Sequence, residues 1–424
     1  MKYQISNIKY QNDKSKVKNF KTQNFPIFIV RTIPLFCLSF LFILPCFAES
    51  PKTHLGLWAP CEGDNQTLSS KAKIIEMLDF ASKLGTQDIF LQVYRGNRSW
   101  YPSKLADDKP FQEIQKKEKF DPIRFAIKNA HAREIRIHAW FNVFWVGKDL
   151  NIPVIKKLGK DAITRDQKGR SMVDYPGNHI PPPEGEWYSY GEDGYWLEPG
   201  DERVQKYLLG VVQEVLQNYP ELDGIHLDYV RYPLTSPFLP GSYYAFHRGI
   251  EFGYGKRSVE WFKKETRLNP LSMARTPQNH MRWDQWRRDQ ITKLVAELHQ
   301  ILKQKYPSIQ LSAAVLPWPE RAYFSSYQDW STWVEKGKID FVVIMNYTLD
   351  LHLSWFLSKM ALGAGPYGTV WIGLGPYLFE RDAVGFEREW LETLNLSPRG
   401  IVLFSYEGLL KQKEVVKVIS KNKL

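Results

Sequence analysis

The sequence predicts an α/β protein: a (β/α)8 TIM barrel with long loops after strands 3 and 4. Eight apolar runs of strand length follow residue 50, and segments with helical periodicity lie between them. The alternative is a doubly wound open sheet, which usually has fewer strands and a Gly-rich phosphate turn after the first one; no such turn is present. The chain also has no P-loop, no Gly-x-Ser-x-Gly elbow and no His-Glu-x-x-His pair.

The predicted strands are short runs rich in apolar and β-branched residues, as expected when both faces of a strand are buried. They cover residues 54–60, 88–94, 135–145, 223–230, 309–316, 340–347, 369–375 and 400–406. Two helices are clearest, because residues 204–216 and 291–302 place apolar side chains three and four positions apart. The other predicted helices cover residues 68–84, 119–132, 326–336, 353–362, 382–394 and 408–420.

Two connections are too long for simple barrel loops: residues 146–195 and residues 234–280. Both follow strands, so both are expected on the face where barrel enzymes build their active sites. Long loops in compact domains are usually functional or disordered, and the aromatic residues here favour order. These residues are Trp187, Tyr188, Tyr190, Tyr243 and Tyr244.

The amino terminus is predicted to be a secretory signal peptide over residues 1–48, followed by a single barrel domain over residues 49–424. Residues 1–31 are basic, and Thr32–Ala48 is a charge-free run of 17 residues. That run is shorter than the roughly 20 residues of a membrane-spanning helix. We therefore expect a secreted or periplasmic protein, with an uncleaved membrane anchor as the alternative. Cleavage after Ala48 leaves Cys61 as the remaining cysteine, so an internal disulfide is not expected.

The charge of +11 does not indicate nucleic-acid binding. Seven Lys and Arg residues lie within the first 50 positions, and the rest of the chain contains no basic block with interleaved stacking aromatics. His226 and Asp228 form a short potential metal pair without a third histidine nearby, so no metal and no cofactor are expected. We expect a monomer that binds a polysaccharide.

The residues after the predicted strands indicate a carbohydrate site, because acids and amides bind hydroxyl groups and aromatic rings stack on sugars. The expected substrate-binding residues are Gln92, Arg95, Asn142, Trp145, Glu198, His226, Arg231, Trp318, Asn346, Tyr347, Tyr377 and Tyr406. Glu198 has an alternative role, at the start of the helix that follows it.

Glycoside hydrolysis needs two carboxyl groups, and Asp228 is the strongest candidate because it lies in a buried strand. An ion pair with Arg231 or His226 is its alternative role. These positive neighbours are expected to lower the pKa of Asp228 and keep it ionised, as suits a nucleophile or base. Glu407 is the first choice for the second carboxyl group, and Glu320 is the next.

At these residues the chain resembles glycosyl-hydrolase-like family ten, the barrel enzymes that include the divisome-localised glycosyl hydrolases. The similarity covers nearly all of residues 53–410. It rests on the segments GLWAP, LQVYRGNRSWYPS, IHAWFNVF, YWLEPGDERVQKYL, LDGIHLDYVRYP, YQDWSTWVEKGKIDFVVIMNY and GIVLFSYEGL.

The resemblance implies an exported barrel that cleaves glycan strands, in some members those of peptidoglycan. It makes Asp228 the central acid of a site lined by Arg231, Asn142, Asn346 and Tyr347. Many relatives carry Asn at the position of Glu198, and two adjacent acids where this chain has Asp228 followed by tyrosine. The alternatives are a catalytically idle glycan-binding barrel, acting as a wall or division-site adaptor, and an α-glucan hydrolase.

Overall fold

Eight parallel strands close into a barrel in the computed structural model, which describes residues 52–186, 188–237 and 249–422. The strands are β1 (His54–Ala59), β2 (Asp88–Arg95), β3 (Arg136–Asn142), β4 (Gly224–Asp228), β5 (Gln310–Val315), β6 (Phe341–Asn346), β7 (Val370–Leu374) and β8 (Gly400–Phe404). Each strand pairs with the next, and β1 pairs with both β2 and β8. Closure confirms the predicted barrel, and the open-sheet alternative is wrong.

In the part of the chain that the structure describes, eight helices surround the barrel. They are α1 (Lys71–Leu84), α2 (Pro122–His131), α3 (Glu202–Asn218), α4 (Pro277–Lys305), α5 (Trp330–Glu335), α6 (Leu351–Leu362), α7 (Ala383–Asn395) and α8 (Lys413–Lys421). Shorter helices lie in the loops at Lys109–Glu118, Pro153–Leu158, Lys256–Thr266, Pro319–Ser325 and Tyr406–Leu410. Several barrel helices begin at a residue whose side chain accepts a hydrogen bond from a backbone amide of the first turn. Examples are Ser70, Asp121 and Asp201.

Helix α4 begins earlier than its apolar periodicity predicts, at Pro277 instead of near residue 291. Thr276 caps its amino terminus by accepting from the Asn279 amide. The first turns of α4 place Trp283 and Trp286 against Phe262 of the helix at Lys256–Thr266, in a small separate core. The apolar periodicity does not predict the amino-terminal half of α4, because the apolar face of this half contacts a helix in the second long connection and not the barrel.

The barrel interior is filled largely by aromatic side chains. Its members are Trp58, Phe90, Trp140, Ala314, Phe341, Val343, Trp371 and Val402. Side chains alternate along each strand, so the residues between these face the helices and form the main core. Some of the chain's many tryptophan residues therefore pack inside the barrel and support the floor of its mouth.

The two long connections fold over the mouth at the carboxyl ends of the strands. In the first, Trp145–Gly147 pairs with Tyr195–Trp196. Tyr188–Tyr190 pairs with Thr235–Pro237 and so joins the first connection to the second. The described parts of both connections are therefore ordered, as their aromatic residues predict. Trp187 and residues 238–248, which include Tyr243 and Tyr244, lie outside the described residues.

The predicted signal peptide also lies outside the described residues, which begin at residue 52. Within the described part of the chain, no helix combines the length and apolar character needed to cross a membrane.

Candidate active site

Asp228 ends β4 at the centre of the mouth, where it is only 8% exposed. On the adjacent strand it pairs with Asn142, the last residue of β3. Asp228 Oδ2 accepts a hydrogen bond from the Trp140 indole at 3.2 Å, and Oδ1 accepts one from the Tyr229 amide at 2.7 Å. The chain turns sharply here, since Tyr229 has φ of 52°, a left-handed conformation uncommon outside glycine. The acid is consequently held in one orientation by its two neighbours.

Burial raises the pKa of Asp228 to about 6, although the Arg231 charge and the Tyr229 amide act to lower it. The expectation that positive neighbours keep this pKa low is therefore wrong in direction. Arg231 stacks on Trp196 at 5.0 Å and on Tyr229 at 5.2 Å, and its charge does not offset the loss of water around the carboxyl group. His226 contributes no charge, because burial lowers its own pKa. Asp228 thus has the character of a proton donor near neutral pH.

Aromatic rings form the wall of the mouth next to Asp228. The Tyr347 ring packs against Phe404 at 5.6 Å and Tyr377 at 5.9 Å. Burial raises the pKa of Tyr347, and the nearby Asp228 carboxyl group raises it further, so the two side chains share one environment. Tyr377 is 43% exposed and presents its ring to solvent at the rim. Such rings are suited to stacking against the apolar face of a sugar.

Two buried amides form the floor on the side of β2 and β3. Gln92 donates to Asn142 Oδ1 at 3.0 Å, and Gln92 Oε1 accepts from the Cys61 thiol at 3.3 Å. The Asn142 Nδ2 atom is buried without a hydrogen-bond partner, and so is Arg231 Nη1. Unsatisfied buried donors are costly, so these two beside the acid are positioned to bind oxygen atoms of a ligand.

The rim at the ends of β2 and β3 is built from Arg95 and Trp145. The Arg95 guanidinium lies 5.0 Å above the Trp145 ring and pairs with Glu62 at 3.1 Å. Trp145 stacks on Tyr229 at 5.7 Å, which joins this rim to the acid. Trp318 is partly exposed and precedes the helix at Pro319–Ser325, after β5.

Three predicted substrate-binding residues have structural contacts instead. His226 is fully buried one layer below the acid, where it accepts from the Trp58 indole at 3.1 Å and contacts the Ser312 hydroxyl at 2.8 Å. Asn346 faces outward and donates to Ser354 and Ser358 of α6. Tyr406 is buried against Phe80 of α1. None of the three faces the mouth, because each belongs to the core or to the helix-facing side of the sheet.

Glu198, also predicted to bind substrate, is 1% exposed and surrounded by hydrogen-bond donors. Its carboxylate accepts from the hydroxyls of Thr164 and Ser258 at 2.8 and 3.0 Å. It also accepts from the amides of Gly200 and Gly255 at 3.3 and 3.0 Å. Burial raises its pKa despite these hydrogen bonds. Glu198 therefore ties the two long connections together beneath the mouth.

The two candidates for the second carboxyl group, Glu407 and Glu320, follow β8 and β5. Glu407 Oε1 accepts from the backbone amides of Asp64 and Asn65 at 2.7 and 3.3 Å, which fixes the loop after β1. Glu320 is exposed on the first turn of a short helix. Their assignment to catalysis remains a prediction that the geometry does not favour.

Glu192 lies at the mouth, at a position that no motif or strand of the sequence indicates. It is exposed in the turn Gly191–Gly194, and its carboxylate adds to the effect of burial in raising the pKa of Tyr229. It also contributes to the raised pKa values of Asp228 and Tyr377. The available sequence signal is its place in a long aromatic loop after strand 3, on the catalytic face.

Across the described ranges, no three His, Cys, Asp or Glu residues are grouped so that they can hold a metal ion.

The closed barrel, with a buried carboxyl group at its carboxyl-terminal mouth, has the architecture used by many glycosidases. Similar folds include the catalytic domain of a β-amylase from Paenibacillus polymyxa, with TM-score 0.55, 13% identity, and coverage of 88% of this chain and 100% of that one. An α-L-fucosidase from Paenibacillus thiaminolyticus has TM-score 0.56 and 12% identity, and the match covers 87% of this chain and 49% of that one. At these identities the likeness concerns the fold.

The model of the family described as glycosyl hydrolase-like 10 matches residues 56–355, and the chain belongs to this family. Among curated relatives, the glycosyl hydrolase DigH of Escherichia coli K12 is 25% identical over 312 residues, or 68% of this chain. The glycosyl hydrolase YngK of Bacillus subtilis is 24% identical over 298 residues, or 65% of this chain. The matches span 62% and 49% of those two proteins. The resemblance inferred from sequence motifs is thereby confirmed.

Proposed function

We propose that this protein is a glycoside hydrolase that cleaves a polysaccharide within the mouth of the barrel, with Asp228 as the proton donor. The observation that carries the proposal is the buried carboxyl group, whose pKa is raised to about 6. Such a group holds a proton close to neutral pH and releases it to a leaving oxygen. Membership of the glycosyl hydrolase-like family supports the same reaction.

The proposed reaction transfers the proton of Asp228 to the glycosidic oxygen. The bond between that oxygen and the anomeric carbon breaks, and its electron pair remains on the oxygen. A water oxygen bonds to the anomeric carbon, and the water proton passes to a second carboxylate. Asn142 Nδ2 and Arg231 Nη1 are the donors proposed to hold the sugar hydroxyls during this step.

The substrate we propose is the glycan strand of peptidoglycan, on the basis of the motif resemblance. The test is to incubate the full chain with peptide-stripped peptidoglycan strands and with a panel of α-glucans, and to identify the products by mass spectrometry. Cleavage of the strands supports the proposal. Cleavage of α-glucans alone would show that the substrate is an α-glucan instead of peptidoglycan. Binding without any cleavage favours a glycan-binding barrel.

The role of Asp228 is tested with Asp228→Asn, which keeps the shape of the side chain and removes its acidity. Turnover is expected to fall about a thousand-fold, the loss typical of a principal catalytic group. The melting temperature and the affinity for the glycan should be unchanged. Glu260→Gln, at an exposed acid on the helix Lys256–Thr266, is the matched control. Near wild-type turnover by Asp228→Asn would contradict the assignment.

We propose that the protein is exported and acts in the periplasm or outside the cell. The support is the charge-free run Thr32–Ala48 in the sequence. Expression in a bacterium should yield an extracytoplasmic protein whose new amino terminus is near Glu49. An intact amino terminus in the membrane fraction would instead establish an anchor.

A further inference from the structure

The turn Gly191–Gly194 is fixed at the edge of the mouth by contacts with two other segments. The Gly191 amide donates to the Leu234 carbonyl at 2.8 Å, and the Trp145 indole donates to the Asp193 carbonyl at 2.9 Å. Lys148 pairs with the Asp193 carboxylate at 3.1 Å. These contacts hold both sides of the turn, so Glu192 projects from a tethered segment.

Glu192 belongs to the same cluster as the catalytic acid. Burial raises the pKa of Tyr229, the residue bonded directly to Asp228, and the nearby Glu192 carboxylate raises it further. Trp145, which holds the turn, also stacks on the Tyr229 ring at 5.7 Å. The Glu192 side chain is exposed, whereas Asp228 is 8% exposed. A buried and a solvent-facing carboxyl group are therefore both close to Tyr229.

This arrangement matches the two roles of an inverting glycoside hydrolase. The proton donor is a buried acid, and the base is a carboxylate that reaches water on the other side of the sugar. The other two candidates are less suitable, since Glu407 is occupied by two backbone amides and Glu320 is on a separate helix.

We propose that Glu192 is the general base of this site and takes a proton from the attacking water. The inference rests on the proposed hydrolase function. The water oxygen bonds to the anomeric carbon and one water proton moves to Glu192. Asp228 simultaneously protonates the leaving oxygen, so both carboxyl groups exchange protonation states during one turnover and the anomeric configuration inverts.

The experiment compares Glu192→Gln with the wild type on the glycan that the wild type cleaves. Loss of the base is expected to lower kcat by about 10²- to 10⁴-fold, with the affinity for the glycan unchanged. The control is Glu186→Gln, at an exposed acid in the same long connection, which should retain wild-type kcat. Equal melting temperatures of the three proteins exclude misfolding as the cause.

Azide distinguishes a base from a residue that only positions the turn, since azide attacks without losing a proton. Sodium azide should restore turnover of Glu192→Gln and give a glycosyl azide detectable by mass spectrometry, but it should not restore Asp228→Asn. Proton NMR of early wild-type products should show inversion.

The outcomes separate this inference from the proposed function. If the wild type and Glu192→Gln cleave at similar rates while Asp228→Asn does not, the hydrolase function stands and Glu192 is not the base. Loss of activity without azide rescue, or retention of configuration, also overturns the role of base. Absence of any wild-type cleavage overturns the hydrolase function itself.

Discussion

Replacement of Glu198 by alanine should destabilise the protein strongly, because four well-placed donors converge on this buried carboxylate. The backbone amides of Gly200 and Gly255 cannot rotate to other acceptors, whereas the hydroxyls of Thr164 and Ser258 can. Packing is tight, since a Cβ atom on Gly255 would lie 2.6 Å from Glu198 Cγ. The alanine variant therefore leaves both a cavity and unsatisfied donors.

The expected loss follows from these contacts. Each buried donor left unsatisfied costs about 1–3 kcal/mol, so the two amides alone cost about 2–6 kcal/mol, and the cavity adds to this loss. Proteins have an unfolding entropy of about 2 cal/mol/K per residue, which for a barrel of this size converts the loss into a fall in Tm of about 5 °C.

Differential scanning calorimetry of Glu198→Ala measures this change, with Glu260→Ala as the control at an exposed acid. A surface substitution of this kind is expected to change stability by less than about 0.5 kcal/mol. The connections that Glu198 joins also carry Arg231 and the turn with Glu192, so catalytic turnover should fall as well. A decrease in Tm of less than 1 °C would refute the conclusion that Glu198 anchors the long connections.

Three further predictions concern acidity, buried charge and metals. With a pKa of about 6, Asp228 should lose its proton as pH rises, so kcat/KM should fall through about pH 6; a flat profile from pH 5 to 8 would contradict a proton donor. Glu389 is 2% exposed, and burial raises its pKa from 4.5 to about 7, so its neutral form stabilises the fold fully below pH 4.5 and this contribution is lost as pH rises through about 7. The side chain of Glu389→Gln is uncharged at every pH, so the unfolding free energy of this variant should be about 3 kcal/mol higher than that of the wild type at pH 8.5 and equal to it at pH 4.5. Identical urea midpoints of the two proteins at pH 8.5 would contradict this prediction. EDTA or dithiothreitol should change Tm by less than about 2 °C, a shift equivalent to roughly 1–2 kcal/mol, and a greater loss with EDTA would reveal a bound metal.

The sequence predicts the barrel because its strands are buried on both faces and therefore appear as uninterrupted apolar runs. The position of Asp228 follows from the same pattern, since an acid at the end of such a run must lie at the carboxyl-terminal mouth. Asn142, Tyr347 and Tyr377 are brought to this mouth as well. Their placement depends on strand order, which the alternation of strands and helices predicts.

The direction in which a side chain points was not predictable in the same way. Asn346 and Tyr347 are adjacent, but Tyr347 contacts the site and Asn346 contacts α6. Alternation shows that the two face opposite sides, and the packing of the closed sheet determines which of them faces inward. His226 shares the inward face with Asp228 but lies one layer deeper, within the packed interior.

The sequence by itself determined the number and order of the strands, the family and the position of the central acid, because these depend on local apolar patterns and on motifs. The tertiary structure decided the acidity of Asp228, the anchoring role of Glu198 and the approach of Glu192. These properties depend on residues distant in the chain: burial raises a pKa only when several segments together exclude water. The long connections reach the mouth because of contacts such as that between Trp145 and Asp193, which no sequence periodicity encodes.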